Sequence, residues 1–291
     1  MRIGALEGGG TKMVLAVCTE QGDILERASI PTKDPSETIP AMTDWFSGKD
    51  IEALGIGFFG PICLDRNAEN YGFVTKTPKL AWTNTPIVKP FKDALQVPVA
   101  FDTDVNAAAL GEAAFGAARG TENSVYITIG TGIGVGVISN GEVVHGMMHP
   151  EGGHILMRKN PKDTYKGRCP FHGDRCLEGL ASGPAIEERW GKKAYELSDR
   201  PEVWEIEADY VAQGIVDMIY LLSPEKFVLG GGVMHQEQML PLVRARVLEL
   251  LNGYPATDQL EDIDNYIVRP ELNDNQALIG CVQMALAEMK R

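Results

Sequence analysis

Short apolar runs separated by glycine turns fill the opening of this 291-residue chain. Residues 3–6 read as a strand, Gly8-Gly9-Gly10 as a tight turn and residues 13–17 as a second strand. A third strand, 24–30, comes after the Gln21-Gly22-Asp23 turn, so the chain begins with three antiparallel strands. A helical pattern at 36–46 and a strand at 53–59 follow. Past a polar, irregular stretch come a helix at 88–95, a strand at 97–101 and an Ala-rich helix that fades at Gly116 and Gly120. At Ser124 the opening pattern restarts, with strand 124–129, the turn Gly130-Thr131-Gly132, strand 135–138, a turn at Gly141 and residues 143–144. Gly10-Thr11 and Gly130-Thr131 each lead into an apolar strand ending in a small residue and Val, which points to an internal duplication. Beyond a Cys/His-rich loop at 167–178 the pattern predicts helices near 184–196 and 206–222 and a strand at 226–229. The turn Gly230-Gly231-Gly232, a helix over 237–251, a strand at 266–268 and a closing helix over 276–289 complete the chain.

Asp102-Thr103-Asp104 stands where strand 97–101 ends, and the Ala-rich run behind it is a strong helix former. Asp104 lies at or near the N-cap of that helix. Ligands of open α/β folds bind at the carboxyl ends of strands. A carboxylate here serves either as a helix cap or as a general base, and the spacing fits both.

The two Gly-Thr turns expose successive backbone N–H groups, a concave site for an anion, and each Thr hydroxyl adds a donor. Glycine lets a phosphate approach where a β-carbon would block it. Taken singly each is also an ordinary hairpin turn; two related copies fit a triphosphate. Lys12 adds a positive charge to the first turn, and Glu7 is placed to hold magnesium through water. No Gly-Lys-Ser/Thr occurs, which excludes a P-loop. Gly55-Ile-Gly57-Phe-Phe-Gly60 matches a dinucleotide pattern, but Pro61 follows and no helix begins there. Gly230-Gly231-Gly232, between a strand and a helix, offers bare backbone to an adenine or ribose, or is a simple connecting turn.

Cys169-Pro-Phe-His172-Gly-Asp-Arg-Cys176 places two thiols and an imidazole at spacings suited to one ion, and His154 is the best upstream candidate for the fourth zinc ligand. Four protein ligands make such a site structural. Glu151-Gly152-Gly153-His154 just ahead of it combines a carboxylate with flexible backbone, as a sugar-hydroxyl site requires or as a polar loop displays. Cys18, Cys63 and Cys281 lie in apolar runs and read as buried, inert thiols. His145, His149 and His235 read as ordinary surface or satisfied histidines.

A net charge of −13 disfavours a nucleic-acid partner, which calls for Lys/Arg patches. The N-terminus lacks the apolar core of a signal peptide and no run approaches a membrane span, so a cytoplasmic protein is expected.

Together these residues resemble the ROK family of sugar kinases, in the fructokinase branch. The resemblance runs through Glu7-Gly-Gly-Gly-Thr-Lys12, Gly60-Pro61, Asp104-Val-Asn106-Ala-Ala-Ala-Leu-Gly-Glu112, Gly130-Thr-Gly-Ile-Gly134, Glu151-Gly-Gly-His154, the Cys/His loop with Glu178, and Gly230-Gly-Gly232. It implies an α/β, actin-like ATPase fold (duplicated, ribonuclease H-like), with two lobes around a nucleotide/sugar cleft. The lobes would be residues 1–117, with helix 276–291 packing back on them, and residues 118–275, carrying the zinc loop and adenosine site. It also implies the roles of individual residues. Asp104 would be the general base, and Asn84, Thr103, Glu151, His154 and Glu178 would bind the sugar, Thr103 standing where many members have Asn. Gly9, Gly10, Thr11, Lys12, Thr131 and Gly132 would hold phosphates of ATP, while Pro184, in the Ser182-Gly183-Pro184 turn, and Gly230, Gly231 and Gly232 would flank the adenosine. His154, Cys169, His172 and Cys176 would ligate zinc, and Glu7 would hold magnesium through water. The implied activity is ATP-dependent phosphorylation of D-fructose to fructose 6-phosphate by a homodimer, with glucose, mannose or N-acetylmannosamine as alternative sugars. A sugar-responsive repressor is disfavoured because the first phosphate turn begins at residue 7 with no DNA-binding helix-turn-helix ahead of it. A catalytically silent sugar-binding protein is disfavoured by the presence of Asp104 and both phosphate turns.

Overall fold

The computed structural model describes residues 1–291. In chain order the first elements are β1 (Ile3–Gly8), β2 (Lys12–Cys18), β3 (Ile24–Pro31), α1 (Pro35–Phe46), β4 (Ala53–Phe58), β5 (Phe73–Val74), β6 (Thr85–Pro86), α2 (Val88–Leu95), β7 (Val99–Thr103) and α3 (Asp104–Phe115). They continue as β8 (Ser124–Ile129), β9 (Ile133–Ser139), β10 (Glu142–Val143), α4 (Leu177–Ala181), α5 (Gly183–Trp190), α6 (Pro201–Leu222) and β11 (Lys226–Gly230). The chain closes with α7 (Met239–Leu251), α8 (Asp258–Glu261), α9 (Ile263–Tyr266), β12 (Ile267–Val268) and α10 (Gln276–Glu288). No helix is long and apolar enough to cross a membrane.

Two five-stranded sheets form, ordered β3-β2-β1-β4-β7 and β10-β9-β8-β11-β12. In the first, β1 runs antiparallel to β2 and parallel to β4; in the second, β8 runs antiparallel to β9 and parallel to β11. The order repeats strand for strand, and so do these directions, so the duplicated Gly-Thr signal reflects a duplicated topology. The chain divides into two compact units. One comprises Met1–Arg119, Val143–His149 and Leu272–Arg291, the other Gly120–Glu142 and Pro150–Glu271. The segment 143–149, which the sequence reading left in the second lobe, packs with the first unit.

Within the first unit both faces of the sheet are covered, and residue size separates them. Leu6, Met13, Leu15, Leu54 and Phe58 pack with Met42 and Phe46 of α1 and Phe91 of α2. Small residues on the opposite face, Ala5, Ala16 and Ala53, meet Ala107 of α3 and Leu278, Cys281 and Val282 of α10. Each large side chain so buried is worth about 1.5–3 kcal/mol. The small face lets helix backbone lie directly on the sheet: a Cβ at Gly55 would fall 1.8 Å from the Cys281 carbonyl oxygen, and one at Gly280 would fall 1.7 Å from that of Ala107. Close helix packing therefore accounts for Gly55 of the dinucleotide-like pattern.

Several boundaries differ from the sequence reading for local reasons. Helix α6 begins at Pro201, ahead of the expected 206, because proline suits the first helical turn and Trp204 anchors it through a 2.8 Å bond from Nε1 to the Leu197 carbonyl. Helix α5 stops at Trp190, where Gly191 takes a left-handed conformation, φ +70, and only a short 3-10 turn forms at Ala194–Glu196. Cys18 and Cys281 are buried as expected, but Cys63 is only partly so, its thiol donating to Asn70 Oδ1 at 3.3 Å.

Candidate active site

In the first unit, Asp104 is the first residue of α3 rather than its cap. The cap is Thr103, whose Oγ1 accepts from the Asn106 N–H at 3.1 Å. Thr103 is buried and its hydroxyl is engaged in the cap, a setting that weighs against direct sugar contact. Asp104 keeps partial exposure within dense surroundings, and its Oδ1 accepts from the Val105 N–H at 2.9 Å. Desolvation outweighs that bond and raises its carboxyl to about 6.

Glu7 closes in on the same electrostatic environment from β1. Burial first and the Asp104 charge second raise its carboxyl to about 7, against the lowering pull of Lys12 and Arg27. A carboxylate so poorly compensated by protein cations suits a divalent ion. The turn after it is braced: Gly9 N donates to Lys12 O at 3.1 Å, Thr32 N donates to Thr11 O at 3.0 Å, and Thr32 Oγ1 donates to Gly9 O at 2.8 Å. Asn84 is an exposed turn residue with φ +58.

Asp102 and His145 form a pair that no motif or spacing connects. His145 Nε2 lies 2.7 Å from Asp102 Oδ2, while Asp102 Oδ1 accepts from Asn106 Nδ2 and the Thr103 N–H, both at 2.7 Å. His149 is buried and accepts from the Ile62 N–H at 3.2 Å through Nε2. Both are satisfied histidines, as read, but His145 is satisfied by a residue two places from Asp104.

In the second unit, His154, Cys169, His172 and Cys176 place one ligand atom each within 4.8 Å of all the others. Sulfur-to-nitrogen separations run from 3.6 to 3.8 Å. Tetrahedral zinc with ordinary bond lengths demands about 3.6 Å, so the donor set and its spacing fit that ion. Burial and the neighbouring Cys169 push the Cys176 thiol up to about 12, so the thiolate form that metals bind calls for a cation's charge.

Two residues beyond Cys176, Glu178 reaches the second Gly-Thr turn, where its Oε2 accepts from the Ile133 N–H at 3.0 Å. That oxygen occupies the space a side chain at Gly132 would need, 2.7 Å from an added Cβ. The turn is joined on its other side to the Ser182-Gly183-Pro184 segment, where Gly183 N donates to Gly130 O at 2.8 Å. His154 ends a 3-10 turn over Gly152–His154, in which its N–H donates to the Glu151 carbonyl at 2.9 Å. The Cys/His cluster, Glu178 and the second Gly-Thr turn thus form one connected framework. After β11, Gly231 adopts φ +87 and a 3-10 turn over Gly232–His235 intervenes before α7.

Comparison with known proteins places this geometry. A fructokinase of Zymomonas mobilis subsp. mobilis is 43% identical over 98% of this chain and 96% of its own. A fructokinase of Pediococcus pentosaceus is 41% identical over 100% of this chain and 99% of its own. The crystal structure of a ROK family glucokinase from Streptomyces griseus in complex with glucose and AMPPNP superposes with a TM-score of 0.78, at 25% identity, covering 99% of this chain and 100% of that one. The fold is the duplicated actin-like ATPase fold. With the ROK family profile matching residues 3–288, the chain belongs to the ROK family.

Proposed function

We propose that this protein is an ATP-dependent fructokinase (ATP:D-fructose 6-phosphotransferase), making fructose 6-phosphate. Relatives that carry the fructokinase name and match nearly the whole chain support the substrate, with glucose, mannose and N-acetylmannosamine as the competing hexoses. The observation that carries the chemistry is Asp104, partly exposed just past the carboxyl end of β7 with its carboxyl raised to about 6. A base whose pKa lies near the working pH accepts a proton efficiently, and Asp104 takes it from the reacting sugar hydroxyl.

Phosphoryl transfer asks a protein mainly for alignment and charge neutralisation. Gly10, Thr11 and Lys12 supply N–H, hydroxyl and ammonium donors in the first unit, Gly9 shaping the turn through its own N–H bond to the Lys12 carbonyl, and Thr131 and Gly132 supply donors in the second. Pro184 and Gly230, Gly231 and Gly232 flank the adenosine. Glu7 is the residue to hold magnesium, through water, and the ion when bound neutralises phosphate charge. Glu151 and His154 hold sugar hydroxyls. Glu178 contributes Oε1, its other oxygen being engaged with Ile133. Asn84 and Thr103 are the weaker members of the sugar set. Zinc on His154, Cys169, His172 and Cys176 fixes the orientation of the His154 ring and the start of the Glu178 helix. A homodimeric, cytoplasmic enzyme completes the reading.

The test is ADP release with ATP and magnesium against fructose, glucose, mannose and N-acetylmannosamine, run on wild type and Asp104→Asn. Fructose-selective turnover, lost by at least about a hundredfold in the variant, is the expected result. Selectivity for another hexose overturns the substrate; no turnover with any sugar overturns the kinase reading itself.

A further inference from the structure

Lys79, on the loop between β5 and β6, ends over the first glycine turn. A Cβ built on Gly10 would lie 2.9 Å from Lys79 Cε and 3.6 Å from Nζ, so the absence of a side chain at position 10 makes the room the lysine uses. Both partners in this approach are anchored. The Lys79 carbonyl accepts from Trp82 N at 2.8 Å, and Lys79 N donates to Thr77 Oγ1 at 3.4 Å. Trp82 is buried against Phe58 and Phe59, with ring centroids at 5.5 and 5.6 Å, and its Nε1 donates to the Lys33 carbonyl at 3.0 Å. The opposite side of the glycine turn is tied to Thr32.

The ammonium itself is an exposed cation engaged in no ion pair of the chain, although carboxylates outnumber cations here and the net charge is −13. Held beside Gly10, it adds a mobile point charge to the first glycine turn. Glu7 immediately precedes the turn, so on the proposed reading of Glu7 as the magnesium residue this turn serves the phosphoryl end of the nucleotide.

We propose that Lys79 contacts the terminal, transferring phosphoryl group of the nucleotide, as a second cation beside Lys12. The inference rests on the reading of Gly9-Gly10-Thr11-Lys12 as a phosphate turn. In the transfer the bond from the terminal phosphorus to its bridging oxygen breaks, the sugar oxygen bonds to phosphorus and Asp104 takes the hydroxyl proton. Lys79 offsets the negative charge on the non-bridging oxygens and exchanges no proton.

Lys79→Ala, Lys79→Arg, Thr11→Ala and, as a control on the same loop, Lys76→Ala are compared with wild type for kcat, for KM of ATP and for affinities of ADP and AMPPNP. Lys79→Ala is expected to lower kcat about tenfold to a hundredfold and to weaken AMPPNP while leaving ADP binding unchanged. Lys79→Arg should recover part of the loss, and Lys76→Ala should match wild type. Thermal midpoints should coincide, because the replaced side chain is exposed. If Lys79→Ala leaves kcat within twofold while Thr11→Ala is impaired, the phosphoryl contact is wrong and the phosphate turn stands. Equal weakening of ADP and AMPPNP overturns the proposal as well. If Thr11→Ala also behaves as wild type, the phosphate turn and the proposal fall together.

Discussion

Asp102 and His145 meet at 2.7 Å, joining the end of β7 to the segment 143–149. The buried Asp102 carboxylate has its other oxygen saturated by two further donors, and its hydrogen bond raises the imidazole pKa above the ordinary histidine range. A raised histidine contributes its stabilisation fully below the unfolded-state pKa of about 6.5 and loses it as pH rises through the folded value. His145→Gln should therefore destabilise more at pH 6 than at pH 9. The imidazole is 43% exposed, so solvent screens the pair and the loss at pH 6 should stay at or below about 1 kcal/mol. Urea denaturation at the two pH values checks this; a deficit that grows towards pH 9 contradicts it.

With Asp104 as the proposed base, its raised carboxyl would set the acid limb of catalysis. A base with pKa about 6 is increasingly protonated below that value, so kcat should fall by nearly tenfold per pH unit on the acid side. Asp104→Asn should remove that limb along with about 10² to 10⁴ of the rate. A pH–rate profile with fructose, on protein shown to remain folded across the range, decides it. Full activity persisting well below pH 5 would mean that another group serves as base.

A metal held by the four-residue cluster would couple stability to the proposed sugar residues. On the proposed reading of the cluster as a zinc site, removing the ion would leave two buried thiols together, with the Cys176 thiol raised, and would free the His154 ring and the start of α4. Chelation, or Cys176→Ser, should lower the thermal midpoint and abolish fructose phosphorylation. ATP analogue binding should be weakened less, because the ligands lie with Glu178 and His154 and not in the first glycine turn. Elemental analysis should return about one zinc per chain; metal-free protein of unchanged stability and activity would remove the cluster from the account.

What the sequence made legible was whatever repeats or is local. The Gly-Thr turns announced the duplicated sheets, and the Cys/His spacing with His154 assembled the cluster later seen in space. Contacts between distant segments were illegible for topological reasons. Nothing in the spacing of Asp102 and His145 suggests a pair, because their meeting depends on the chain returning at 143–149 to the first unit. Lys79 sits in a polar loop with no motif, and only the anchoring of Trp82 brings it to Gly10. The cap bond from the Asn106 N–H to the Thr103 hydroxyl is a side-chain-to-backbone interaction that residue types alone do not reveal.

Glu207 of α6 offers a stability test remote from any proposed contact with substrate. It is completely buried, neither side-chain oxygen has a hydrogen-bond partner, and the nearest cation is Arg189 Nη1 at 3.9 Å. Arg189 is itself committed to Asp163 at 3.0 Å, so burial dominates and the Glu207 carboxyl is pushed well above its ordinary value. For a carboxyl raised by folding, the favourable state is the protonated one. Its contribution is complete below the unfolded value near 4.5 and declines as pH rises towards the folded value. Glu207→Gln keeps the shape and supplies a permanently neutral group. It should be close to neutral for stability at pH 5 and stabilising by about 1–2 kcal/mol at pH 8.5, raising the thermal midpoint by a few degrees. If the glutamine variant is instead less stable at the higher pH, Glu207 is charged there and its pairing with Arg189 outweighs the cost of burial.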